Sequence, residues 1–326
     1  MLNDKSEICF DFYADRISSS TLRENYGLAI MRLAAKATRP VNYRGLSHLN
    51  RLISRMLPSN GIVNIQMSED TLFQFPYGDG YWGRLLDNQR PYSLAEESFL
   101  LAISDIDYAY IDCGANFGYM SSLVTGQKFG SKPAIAIEAD PENYQMLLRN
   151  WRTNDCRFDT KNRAIFSTSG KTVTMADGKH EARSIRFSPV NQRIKTIETL
   201  RLDDLNDWVA AQQCKELIVK LDIEGTEIDA LKGARKLLKK LPLIMFEDHG
   251  NDPTHAVSRY LQKQMSARIF VSEKRGCREI VDLNELFAIK RSEHVGYDFM
   301  AAKGDFWPER ILSLRYTKNN EPSGIS

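Results

Sequence analysis

The sequence predicts an α/β fold, a doubly wound and mostly parallel seven-stranded sheet, and three observations carry that reading. From about residue 106 short β-rich apolar runs alternate with longer helical stretches, the pattern of parallel strands joined by crossover helices. A glycine-rich turn, Gly114-Ala115-Asn116-Phe117-Gly118, follows directly on the first of those runs. Charged residues gather where two later runs end, at Lys220 to Gly225 and Glu247 to His249, whereas parallel strands elsewhere are apolar on both faces.

In chain order, apolar spacing predicts helices near 21 to 37 and 46 to 57 and then a hairpin around Gly61 to Tyr77. These make residues 1–104 an N-terminal cap of helices plus a hairpin. The strand Tyr108 to Asp112 opens the main domain, expected over 105–306. A helix near 117 to 127, the strand Ala134 to Glu138 and a helix from Pro141 to Trp151 follow, with proline at a favoured first-turn position. Further strands are expected at Thr160 to Phe166, Leu217 to Leu221, Leu243 to Glu247 and Arg268 to Val271, with helices near 226 to 240 and 254 to 265. Tyr297 to Ala302 reads as the last strand. Between Ser167 and Leu202, short alternation with Gly170 and Gly178 reads as hairpin material. Residues 307–326 form a C-terminal extension whose tail, Lys318 to Gly324, is polar and expected to fray. No internal repeat is found.

A chain of 326 residues with 42% hydrophobic side chains buries a sizeable core and fits one large domain with additions. Its 44 basic and 42 acidic residues leave a net charge of +2, too even to favour a nucleic-acid partner. Five cysteines without a CxxC pair point to reduced thiols, not a disulfide or zinc scaffold. With no run of 18 apolar residues and no signal pattern at Met1 to Glu7, the expectation is a soluble, cytoplasmic protein.

Glycines after a strand let the backbone turn sharply and approach a ligand, a geometry shared by dinucleotides and S-adenosylmethionine. Charge separates the two. A dinucleotide sets its pyrophosphate on a helix N-terminus, where the carboxylate of Asp112 would repel it; a donor carrying an ammonium and a sulfonium is attracted. The spacing GxNxG also misses GxGxxG. Glu138, closing the next strand, stands where an acid accepts both ribose hydroxyls. The expected donor contacts are therefore Asp112, Gly114, Asn116, Gly118 and Glu138, together with Ala164 and Asp222 further along.

In Lys220-Leu221-Asp222-Ile223-Glu224-Gly225, period two sets Lys220, Asp222 and Glu224 on one side of an extended chain. Glu247 and His249 repeat that arrangement after four apolar residues. Such groups belong at the carboxyl ends of strands, where ligands bind.

Three segments resemble the FkbM family of methyltransferases: Tyr110 to Tyr119, Ile137 to Pro141 with Asn143 and Asn150, and Lys220 to Glu227 continued by Leu231 to Ala234 and Pro242 to Glu247. The resemblance covers roughly residues 92 to 250. It departs at Cys113, where valine or isoleucine is more usual, and at Ala139, where proline is frequent. It implies a class I, Rossmann-like methyltransferase fold, S-adenosylmethionine as donor, and a hydroxyl acceptor on a sugar, polysaccharide, glycolipid or glycosylated natural product. Other readings are a nucleic-acid or protein acceptor, or a donor-binding module without turnover.

A hydroxyl becomes a good nucleophile once a base takes its proton, and His249 suits that role at neutral pH better than a carboxylate does, because an imidazole is the stronger base. Asp222 and Glu224 are the other candidates. Together with Glu247 and His249 they also make an oxygen-rich set for a divalent magnesium or manganese ion. Glu227 reads as N-terminal helix charge, and Lys220 as the partner of a neighbouring acid. Finally, residues 16 to 57 hold eight basic side chains against one acid, Glu24. Leu46, Leu49, Leu52, Ile53, Met56 and Leu57 recur opposite Arg51 and Arg55, so this helix either packs on its own domain or meets an anionic membrane or polyanion.

Overall fold

The computed structural model describes residues 7–11, 16–19, 21–87, 93–175, 195–223, 225–273, 275–293 and 295–315. The expected frayed tail, Gly178 and Glu224 lie outside the described residues.

The chain begins with strands β1 (Glu7–Asp11) and β2 (Arg16–Ser18), which sequence patterning did not suggest. Helices α1 (Leu22–Thr38) and α2 (Leu46–Met56) follow, then the expected hairpin of β3 (Ile62–Ser68) and β4 (Thr71–Pro76). Helix α1 starts where the Thr21 hydroxyl accepts the amide N–H of Glu24. The four strands form one sheet in the order β2-β1-β3-β4, with β1 parallel to β3.

Helix α3 (Leu94–Ala102) leads into β5 (Tyr108–Cys113), α4 (Tyr119–Val124), β6 (Ala134–Glu138), α5 (Pro141–Thr153), β7 (Asp159–Asn162) and β8 (Ala164–Ile165). Strands β9 (Thr172–Met175) and β10 (Lys195–Leu200) pair antiparallel. Then come α6 (Asn206–Gln212), β11 (Glu216–Leu221), α7 (Glu227–Lys232), β12 (Leu243–His249), α8 (Ala256–Arg259), β13 (Arg268–Glu273), β14 (Gly276–Ile280), α9 (Glu285–Ile289), β15 (Gly296–Ala302) and α10 (Phe306–Ser313).

The large sheet has the order β14-β13-β15-β12-β11-β5-β6-β7, parallel from β12 to β7. Among the described residues it holds eight strands where the sequence suggests seven, because β14 folds back on β13 and sets Ile280 opposite Ile269, two buried residues that extend the core to the edge. From β5 the chain runs outward through β6 and β7 and later returns to β11 on the other side. This reversal puts the crevice for a ligand at the carboxyl ends of β5 and β11.

Alternation buries both faces. Tyr108, Tyr110, Ile218, Met245 and Phe270 point to one layer, which also takes Phe73, Phe75 and Trp82 from the N-terminal region. Ile111, Val219, Ile244 and Phe299 point to the other, under Leu202, Leu231 and Leu261. The N-terminal sheet is also tied on by two side-chain amides, one in α5 and one at its C-cap. Asn150 gives its amide to Gln74 O at 3.0 Å and takes Gln74 N at 2.6 Å, while Asn154 does the same for Leu72 at 2.8 and 3.0 Å.

Three helices are shorter than their apolar spacing suggests. Helix α4 waits until Tyr119, because Gly118 at φ +80° is left-handed. The stretch near 226 to 240 breaks after α7 at Gly233, where a Cβ would meet Phe166 O at 2.6 Å. The stretch near 254 to 265 starts after left-handed His255 and widens into a π-turn over Tyr260–Gln264.

Candidate functional site

The turn after β5 is fixed from three sides. Gly114 has φ +81°, and a Cβ there would lie 1.7 Å from the carbonyl oxygen of Asp222, so only glycine lets the β11 end approach this closely. Gly114 and Ala115 both donate their N–H groups to Ile137 O, at 2.9 and 3.0 Å. Asn116, left-handed at φ 51°, donates its backbone N–H to Glu138 Oε2 at 2.8 Å and accepts Phe117 N on its side-chain oxygen at 2.8 Å. Asparagine tolerates that conformation better than most residues. Gly118 then opens α4.

Glu138 closes β6 with only 6% of its surface exposed. Its second oxygen accepts Asp140 N at 2.7 Å. Burial pushes its carboxyl up to about 7, against the pull of those two N–H groups. Each carboxylate oxygen has a second lone pair, so the group still has acceptor capacity for ribose hydroxyls. The residues present therefore fit the ribose end of an S-adenosylmethionine donor.

Asp112 and Lys220 stand opposite each other on β5 and β11. Asp112 is enclosed and takes the Ser121 hydroxyl at 2.7 Å; burial raises its carboxyl while Lys220 opposes the rise. Lys220 donates to Asp222 Oδ2 at 2.7 Å, as the sequence pairing suggests. Burial alone would lower the lysine, but Asp222, Glu96 and Asp112 outweigh it and keep the ammonium charged. The negative charge of Asp112 is thus partly answered within the protein. Ala164 is fully enclosed beside Val173 and Ile197 and reaches no open surface.

On the far side, β12 and β15 set Glu247 opposite Asp298 and His249 opposite Gly296. His249 Nδ1 lies 3.5 Å from Glu247 Oε2, with both side chains partly open to solvent. A Cβ on residue 296 would collide with the Glu247 carboxylate, so glycine there makes room for it. Glu227 is more than helix-end charge: it is buried, takes the N–H of Gly225 at 3.0 Å, and interacts electrostatically with His249 and Asp222. Among the described residues, no group of three or more His, Cys, Asp or Glu side chains is arranged to hold a metal ion. Of the expected set, Asp222 is engaged by Lys220 and Glu247 lies beside His249, while Glu224 is outside the described residues, so the divalent-cation reading finds no support among the described residues.

Two further acids join the site that the sequence did not single out. Glu96, in the first turn of α3, and Asp298, on β15, line one narrow cleft with Phe99, Met245, Ser272 and Met300. Both carboxyls are raised, chiefly by loss of water, and each interacts with Lys220 and Asp222. Glu96 reads in sequence as ordinary helix-start charge. Asp298 does carry a signal, as a charge on the same strand face as Met300 and Ala302.

Residues 112–269 match the methyltransferase FkbM domain. No curated protein sequence matches the chain. Among solved structures, it is similar to a methyltransferase FkbM from Methylobacillus flagellatus, at 17% identity and a TM-score of 0.35, over 61% of this chain and 44% of that one. It is similar to a SAM-dependent O-methyltransferase from Thermotoga maritima at 14% identity and a TM-score of 0.34, over 64% and 65% of the two chains. A precorrin-6y C5,15-methyltransferase from Geobacter metallireducens is similar at 10% identity and a TM-score of 0.34, over 64% and 87%. The chain thus spans less than half the length of the Methylobacillus protein. The glycine turn, the acid-closed second strand and the Lys220 to Gly225 segment all lie within residues 112–269, the part of the chain that matches the methyltransferase FkbM domain.

Proposed function

We propose that the protein transfers a methyl group from S-adenosylmethionine to a hydroxyl of a sugar, whether in a polysaccharide, a glycolipid or a glycosylated natural product, with His249 as the base. The observation that carries this reading is the pairing of His249 with Glu247 at 3.5 Å, one strand over from β11, just beyond which the Asp222 carbonyl touches the glycine turn. A hydroxyl acceptor requires a proton acceptor close to the donor, and an imidazole beside a carboxylate supplies one.

The donor, when bound, offers its methyl group on a positively charged sulfur. Gly114, Asn116 and Gly118 would shape the turn it lies against, Glu138 would accept its ribose hydroxyls, and Asp112 and Asp222 would face its cationic end. Glu247 orients the His249 ring and steadies the imidazolium that forms when the acceptor proton arrives. Asp222, held by Lys220, limits where an acceptor sits. Positioning in a site shielded from water supplies most of the acceleration of such a displacement.

Incubation with a methyl-labelled donor and a panel of glycans, alongside protein and nucleic-acid acceptors, read by mass spectrometry, tests the acceptor. Label in a sugar hydroxyl supports the reading; label only in protein or nucleic acid overturns it. His249→Gln is expected to lower turnover by roughly 10²- to 10⁴-fold while S-adenosylhomocysteine binding, measured by calorimetry, stays unchanged. Near-normal turnover in that variant removes His249 from the base role.

A further inference from the structure

The two N-terminal helices carry more apolar surface than the fold uses. Helix α1 buries Leu28, Met31 and Ala35, and α2 buries Leu46 and Asn50. That is the single stripe a helix needs to dock on its own core. A second stripe runs along α1 through Leu22, Tyr26, Ile30 and Leu33, which are 76%, 65%, 45% and 67% exposed. On α2, Leu52 and Met56 are 55% and 73% exposed, one turn apart. Spacings of three and four put each set on one side of its helix.

The charge of the same segment is one-sided. Arg23, Arg44, Arg51 and Arg55 are exposed, whereas the one acid between residues 21 and 57, Glu24, is buried and bonded to Thr21 and Ser59. Exposed leucine, isoleucine, tyrosine and methionine among arginines, with no exposed acid between them, is the chemistry of a helix lying in the headgroup region of an anionic bilayer. Among the described residues no helix is long and apolar enough to cross a membrane, so contact is along the surface.

We propose that α1 and α2 dock the protein on an anionic lipid surface. The apolar stripes enter the headgroup boundary and the arginines meet lipid phosphates. This surface is independent of the acceptor identity, although a lipid-linked sugar would be encountered there.

The full chain is pelleted with vesicles of phosphatidylcholine alone and of phosphatidylcholine mixed with phosphatidylglycerol. Binding to the mixed vesicles only, weakened at least about tenfold in Arg51→Ser/Arg55→Ser and again in Leu33→Glu/Leu52→Glu, is the expected result. Unchanged S-adenosylhomocysteine affinity shows that each variant is folded, and the arginine pair keeps the test open if the leucine pair is not. Absence of binding, or binding that both variants retain, overturns the proposal. So does a concentration-dependent dimer that the leucine variant abolishes, since the face then belongs to a second copy.

Discussion

The indole N–H of Trp82 donates to the side-chain oxygen of Asn116 across 3.3 Å, joining the N-terminal region to the turn after β5. The same indole stacks on Phe117 and Tyr119, with centroids 5.9 and 5.4 Å away, and has 1% of its surface exposed. Since the N–H of Asn116 reaches Glu138, one side chain from the first hundred residues helps hold both the turn and the ribose-facing acid.

Trp82→Phe keeps an aromatic ring in the stack and removes the N–H. A neutral hydrogen bond contributes about 1 kcal/mol, so S-adenosylhomocysteine affinity is expected to fall about fivefold with the fold retained. Calorimetry alongside thermal unfolding checks this; equal affinity in the two proteins would show that Trp82 only packs.

Gly114→Ala forces a left-handed alanine and drives its methyl group into Asp222 O. The conformation costs about 1–2 kcal/mol and the overlap about 1–3 kcal/mol more. Urea unfolding is expected to show a loss of about 3 kcal/mol, with donor affinity lost in the same variant. A stable protein with normal affinity would mean that β11 yields at this contact.

Glu138 titrates at about 7 in the folded chain against an ordinary 4.5. A raised acid favours the folded state fully below the unfolded value, and that contribution is lost as the pH rises through the folded one. The window is therefore about pH 4.5 to 7, and the loss amounts to about 3 kcal/mol. Glu138→Gln removes this slope, so its stability relative to the native chain should improve from pH 5 to pH 8, whatever constant offset the lost hydrogen bond adds. A pH-independent difference in urea midpoints would contradict the assignment.

Lys290 is buried behind β12, donating to Asp248 Oδ1 at 2.5 Å and to Asp252 O at 2.8 Å, with His255 Nδ1 at 2.9 Å. Lys290→Met strands the Asp248 carboxylate with Ser258 as its remaining hydrogen-bond donor among these groups, at an expected cost of about 3–5 kcal/mol. Adding Asp248→Asn removes the stranded charge, so the double variant should unfold at higher urea than the single one. Strictly additive losses would show that the pair is not coupled.

The parallel half of the fold was legible because its strands are continuous apolar runs, and Tyr108 to Asp112, Ala134 to Glu138 and Leu217 to Leu221 recur almost residue for residue in β5, β6 and β11. The glycine turn was legible for the same local reason: Gly114, Asn116 and Gly118 each carry a backbone conformation that their residue types favour. Glu96 was not, and Asp298 only as an odd charge on an apolar strand face, since tertiary packing brings α3 and β15 together and nothing near either residue in the chain announces the other. The breaks at Gly233 and His255 were hidden likewise, the first by the backbone of Phe166, just beyond β8, which leaves no room for a Cβ at residue 233. Strand β2, three residues long, is too short to establish a period, and β1 is held in place by its parallel pairing with β3, far along the chain.

Leu72 and Gln74 spend their outward N–H and C=O groups on the amides of Asn154 and Asn150, so two asparagines serve as the neighbouring strand that β4 lacks among the described residues. A transplant of residues 112–269 into another scaffold would therefore carry amides shaped for a backbone left behind, and bare Phe117 and Tyr119 besides. Chimeras should join upstream of β1 or not at all; residues 112–269 are not a portable cassette.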